Sequence, residues 1–100
     1  MKNKNYLFLN NYFDKFSSLI DRQFIPKLLN ASNEIKKIKK NKKKIIIAGN
    51  GGSAATSSHF SVDLTKNAKI KAINFNEADL ITCFSNDYGY EKWLEKAIQY

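Results

Sequence analysis

Hydrophobic positions in the first quarter of the chain recur at three- and four-residue steps. Leu7, Leu9, Tyr12, Phe13, Phe16, Leu19, Ile20 and Phe24 make one broad apolar face. Helix is therefore predicted from about Lys4 to Lys40, with one interruption at Pro26. Proline suits the first turn of a helix better than an interior, which puts a break near Arg22 to Ile25. The second helix should turn Leu28, Leu29, Ile35 and Ile38 inward before ending in a lysine run. The period then changes. Ile45 to Ala48 is a short apolar, β-branched run, suited to a buried strand. A helix is predicted from about Ser53 to Lys66, and the alternation of Lys69 to Phe75 predicts a second strand. Strand, helix, strand in that order implies a right-handed parallel crossover. Asn76 is placed to cap a short helix from Glu77 to about Ser85 that buries Ala78, Leu80, Ile81 and Phe84. The loop Asn86-Asp87-Tyr88-Gly89 then leads to a last helix carrying Trp93, Leu94, Ala97 and Ile98.

These elements predict an α/β chain in two parts: an N-terminal helical hairpin over residues 1–43 and a strand–helix–strand unit over 44–100. Two parallel strands alone make an incomplete sheet, because such sheets are covered on both faces and contain more strands. Two long amphipathic helices also offer more apolar surface than one small sheet face needs, and such a surplus commonly packs against another subunit. Homo-oligomerisation through residues 1–43 is the expectation.

Charge alters the picture in one place. Net charge is +8, and seven of the nine positions from Lys36 to Lys44 are lysine. A nucleic-acid surface would be one reading. The run contains no arginine and no interleaved aromatic to stack a base, so a solvated helix end is preferred and nucleic acid is not expected as a partner. The single cysteine, Cys83, permits no internal disulfide, which fits a reducing, cytoplasmic compartment. No apolar run reaches the length of a membrane span.

Candidate chemistry gathers behind the first strand. Gly49-Asn50-Gly51-Gly52 is a turn in which residues without a Cβ allow positive φ and close backbone approach. Ser53 stands where a helix N-cap is wanted, just ahead of Ala54 and Ala55. Strand, glycine turn and helix start together aim backbone N–H groups and a helix dipole at one point, which suits an anionic oxygen such as phosphate. A tight turn that needs its glycines for geometry alone is the alternative. His59 and Asp63, four apart on a predicted helix, share one face. They could reach one zinc ion, or form an ordinary surface pair.

The run Gly49-Asn50-Gly51-Gly52-Ser53-Ala54-Ala55, followed by His59-Phe60 and Asp63, resembles the sugar isomerase (SIS) domain of phosphoheptose isomerases. The block Asn86-Asp87-Tyr88-Gly89-Tyr90-Glu91 resembles a second motif of that family. The resemblance implies a flavodoxin-like, three-layer domain with a five-stranded parallel sheet, of which this chain would be the N-terminal half. It implies substrate contacts from Asn50, Gly51, Gly52, Ser53, Asp63, Asn86 and Asp87, and zinc ligation by His59 and Asp63. It also implies a homotetramer built through the N-terminal helices, acting on a phosphorylated sugar. The reaction would convert sedoheptulose 7-phosphate to a heptose 7-phosphate for bacterial surface polysaccharide, with Asp63 as acid/base. Two departures stand out: Asp63 replaces the family's glutamate, one methylene shorter, and Thr56 replaces a common aspartate. A non-catalytic phosphosugar-binding regulator is therefore a rival, and a partner-binding scaffold like the DnaA initiator-associating protein a second. Relatives of that scaffold lack the tyrosine-containing block present here at Asn86 to Tyr90.

Overall fold

A computed structural model describes residues 3–100. The chain divides into two compact units, one reaching Ile35 and one from Lys36 to Tyr100. In chain order the elements are α1 (Lys4–Leu19), a 3-10 turn (Arg22–Phe24), α2 (Ile25–Lys40), β1 (Ile45–Ile47), α3 (Gly52–Lys66), β2 (Ala72–Asn74), α4 (Ala78–Tyr88), a second 3-10 turn (Tyr90–Lys92) and α5 (Trp93–Gln99).

The helical break falls where Pro26 predicts it. Pro26 occupies the first turn of α2, and Asp21 closes the preceding 3-10 turn by accepting from the Gln23 N–H at 3.1 Å. Asn3 caps α1 in the same way, accepting from Asn5 N–H at 3.0 Å. The inward assignment of Leu28 and Leu29 does not hold: both lie open, at 66% and 60% exposure. Within the first unit α1 and α2 do not pack closely on each other, so their apolar faces stay open. Leu19, Ile20, Phe24 and Leu28 accordingly line an open groove of about 390 Å³.

In the second unit α2 ends in a turn that lies within the lysine run. Lys42 takes a positive φ of 54°, its N–H bonds to Lys39 O, and Lys43 N–H reaches back to Ile38 O. This is the Schellman closure that glycine usually makes, here carried by lysine. β1 and β2 pair in parallel as expected, with Ile45 opposite Ala72, Ile46 opposite Ile73 and Ile47 opposite Asn74. β2 is shorter than the alternation of Lys69 to Phe75 predicts. Lys69 adopts a φ of 56°, and Ile70 N–H bonds to Leu64 O, so this segment closes α3 rather than extending the sheet. Ile70 is buried there with Leu64, and Trp93 and Ala97 are the buried apolar residues of α5.

Two predicted caps are displaced. Gly51, not Ser53, is the N-cap of α3. Glu77, not Asn76, caps α4, its carboxylate accepting from Asp79 and Leu80 N–H at 2.9 and 3.1 Å. α4 also runs past Ser85 to Tyr88 and ends at Gly89, whose φ of 91° reverses the chain. Asn86 and Asp87 therefore lie on the last turn of a helix, not in a loop.

Candidate functional site

The strand register fixes the glycine turn. Since Ile47 lies opposite Asn74, two residues further on each strand bring Gly49 opposite Asn76. The Asn76 carboxamide grips the Gly49 residue at both ends: Oδ1 accepts from Gly49 N–H at 2.8 Å and Nδ2 donates to Gly49 O at 2.6 Å. Asn74 supports that grip. Its Oδ1 accepts from Asn76 N–H at 2.8 Å, and its Nδ2 donates to Ile47 O at 3.2 Å. Neither asparagine announces this polar ladder in the sequence, where Asn76 reads as a helix cap. The signal that could have found it is positional, because residues just past the carboxyl ends of neighbouring parallel strands face each other across the ligand-binding edge.

Gly49 itself permits no side chain. A Cβ there would overlap the Ser53 carbonyl and stand 2.7 Å from Ala54 N. Gly51 has room but not freedom, since its φ of 56° and ψ of −124° strain any L side chain. Gly52 opens α3 with open space at its Cβ position.

The donors of the turn are fewer than the sequence suggests. Ser53 Oγ donates to Asn50 O at 2.7 Å and accepts from Asn50 N–H at 2.8 Å, while Ser53 N–H bonds to Asn50 O. Ser53 is thus a brace inside the first turn of α3, and its hydroxyl is committed internally. Gly49 N–H is spent on Asn76. The N–H groups of Gly51 and Gly52 have no acceptor among the described residues, and they remain for a ligand at the positive end of a 15-residue helix.

Beside the turn opens a cleft of about 360 Å³, lined by Ala48, Gly49, Asn50, Tyr90, Glu91, Trp93 and Leu94. It joins the two sequence motifs. The Tyr90 hydroxyl donates to Asn50 Oδ1 at 2.9 Å across forty residues of sequence. Tyr88 goes elsewhere: its hydroxyl faces that of Tyr100 at 3.2 Å, and its ring packs on Phe84 and under Lys96. The hydrogen bond and the like-charge repulsion of the Tyr100 phenol push the Tyr88 pKa above its ordinary value.

The remaining candidates are dispersed. Asn86 Nδ2 donates to the neighbouring Asp87 Oδ1 at 3.2 Å, and neither residue lines the cleft. His59 Nε2 stands 3.7 Å from Asp63 Oδ2 on the exposed side of α3, and Asn67 Nδ2 holds the other Asp63 oxygen at 3.2 Å. Two ligands sharing a tetrahedral zinc lie roughly 3.4 Å apart, so the pair fits two corners of such a site. No group of three or more metal-ligating side chains occurs among the described residues. Asp63 is separated from Gly52 by about 16 Å of helix axis. The glycine turn with its cleft and the His59–Asp63 pair further along α3 are therefore two separate features of one copy of this chain.

A clamped glycine turn at the carboxyl end of a parallel strand, running into a helix, is the arrangement by which α/β units commonly hold an anion. Relatives narrow the class. The chain is 33% identical to phosphoheptose isomerase 2 of Campylobacter jejuni over 98 aligned residues, covering 92% of this chain and 49% of the relative. It is 35% identical to the phosphoheptose isomerase of Buchnera aphidicola over 86 residues, covering 81% and 45%. The Helicobacter pylori enzyme of the same name is 38% identical over 65 residues, covering 59% and 34%. The chain is a homologue of the phosphoheptose isomerases, and it spans between about a third and half of the length of these relatives. No family model and no solved structure matches it. Among the described residues no helix is long and apolar enough to cross a membrane.

Proposed function

We propose that this chain supplies the phosphosugar-binding turn of a phosphoheptose isomerase, converting sedoheptulose 7-phosphate to a heptose 7-phosphate for bacterial surface polysaccharide. The observation that carries the reading is the glycine turn, rigidly clamped by Asn76 with the Gly51 and Gly52 N–H groups left for an anion, in a homologue of named phosphoheptose isomerases. The complete domain would be a three-layer SIS fold, working in the cytoplasm as a homotetramer assembled through the apolar faces of α1 and α2.

Binding divides among this chain's residues. Gly51 and Gly52 offer backbone donors, Asn50 a carboxamide, and Ser53 the brace that holds the turn; Asn86 and Asp87, which lie outside this cleft, are assigned to hydroxyls of a sugar held by another copy. An aldose–ketose shift moves a proton between adjacent carbons. Asp63, about 16 Å along α3 from the glycine turn of its own copy, is the carboxylate proposed to carry it for a substrate held by another copy of the chain in the oligomer. His59 and Asp63 would hold zinc, whose contribution when bound is to stabilise developing negative charge on the substrate oxygen.

The direct test is turnover of sedoheptulose 7-phosphate by the full-length protein, followed by NMR, beside an Asp63→Asn variant. The reading requires product from the wild type and none from the variant, with phosphosugar binding retained. Turnover that survives the substitution removes Asp63 from the mechanism. A second reading, a phosphosugar-binding regulator without catalysis, is favoured by the aspartate in the glutamate's place. It predicts binding by both proteins and product from neither.

A further inference from the structure

We infer that Tyr90 is a positioning residue of this cleft, holding the Asn50 carboxamide so that its amino group is presented to the sugar portion of a bound phosphosugar. The inference rests on the phosphosugar reading above.

Three observations carry it. The Tyr90 hydroxyl donates to Asn50 Oδ1 at 2.9 Å, which commits the acceptor end of the amide. Asn50 Nδ2 has no acceptor among the described residues, and Asn50 and Tyr90 line the same cleft. The Asn50 backbone is already fixed by Ser53, through both its N–H and its carbonyl, so side-chain rotation is the freedom left for Tyr90 to remove. Chain geometry puts the phenol there: Gly89, at φ 91°, turns the chain out of α4 and into the 3-10 turn that begins with Tyr90.

An unrestrained asparagine can present either its oxygen or its nitrogen to a ligand. With Oδ1 held by Tyr90, the rotamer is fixed and the amide offers its N–H donors to the cleft, matched to a sugar hydroxyl or carbonyl oxygen, before the ligand arrives. On the phosphosugar reading the phosphate binds independently, at the N–H groups of Gly51 and Gly52, which have no acceptor among the described residues. Tyr90 therefore governs recognition of the sugar and leaves recognition of the phosphate alone.

The experiment is calorimetric titration of the full-length protein with sedoheptulose 7-phosphate and, separately, with inorganic phosphate. Wild type is compared with Tyr90→Phe, Asn50→Ala and the double variant. Tyr90→Phe removes one oxygen and keeps the ring, and melting temperatures check that each variant is folded. The expected result is a threefold to tenfold rise in Kd for the phosphosugar with Tyr90→Phe, of the size of one hydrogen bond. Phosphate affinity should stay within twofold of wild type. The double variant should bind no worse than Asn50→Ala, because Tyr90 acts only through Asn50. Unchanged phosphosugar affinity in Tyr90→Phe, an equal loss for phosphate, or multiplying losses in the double variant would each overturn the inference while the phosphosugar reading stands. A wild type that binds no phosphosugar overturns both.

Discussion

Gly49→Ala is the substitution whose outcome the turn geometry dictates most firmly. The new methyl would overlap the carbonyl of Ser53 and lie 2.7 Å from Ala54 N, and all of these are backbone atoms in the first turn of α3. No flexible side chain is present to move aside. Either α3 shifts away from β1 or the Gly49 peptide leaves its place. Overpacking of this kind costs about 1–3 kcal/mol. Displacing Gly49 also breaks the two Asn76 hydrogen bonds, at 2.8 and 2.6 Å, whose loss adds about 1–2 kcal/mol together. A total loss of about 2–5 kcal/mol is expected, a large part of the stability of an ordinary domain. Urea denaturation of the full-length protein, read by circular dichroism, measures it as a fall in midpoint at constant slope. Gly52→Ala is the internal control. Its Cβ meets open space at the start of a helix, so it should be neutral or stabilise by up to about 1 kcal/mol. A Gly49→Ala protein as stable as the Gly52→Ala protein would refute the close approach on which the site is built.

Further outcomes follow from the same structure. Asn76→Ala should cost about 1–3 kcal/mol, because it strips both partners from the half-buried Gly49 peptide, and hydrogen exchange at Gly49 N–H should accelerate with it. Lys42→Gly should stabilise the protein by about 0.5–1 kcal/mol in thermal melts, since a left-handed conformation strains lysine and not glycine. On the proposed zinc reading, His59→Ala and Asp63→Asn should each weaken zinc binding by about tenfold or more in competition with a chelator, while leaving phosphate binding at the proposed glycine-turn site intact.

Much of the architecture is legible in local pattern. The three- and four-residue apolar steps give the helices, Pro26 gives the break, and strand–helix–strand gives the parallel pair. Local pattern fails where a backbone group finds a distant partner. Ser53 reads as a cap, yet its hydroxyl is satisfied by the backbone of Asn50, so the N-cap falls to Gly51. Asn76 reads as a cap too, but 27 residues earlier lies the Gly49 peptide that claims its amide. Lys69 alternates like a strand residue and instead closes α3 with a positive φ. The Tyr90–Asn50 bond depends on how Gly89 redirects the chain, which neither motif reveals by itself. Residue identities named the candidates. Only the register of β1 against β2 showed which backbone donors at the turn are spent and which are left.

Amide chemical shifts of the isotopically labelled full-length protein, followed while sedoheptulose 7-phosphate is added, test the central proposal most directly. Saturable shifts at Gly51 and Gly52, larger than those at Gly49 and Ser53 whose N–H groups are already bonded, are the predicted result. Saturable shifts confined to other regions, with the Gly51 and Gly52 resonances unmoved, would mean that the phosphosugar does not bind at the glycine turn.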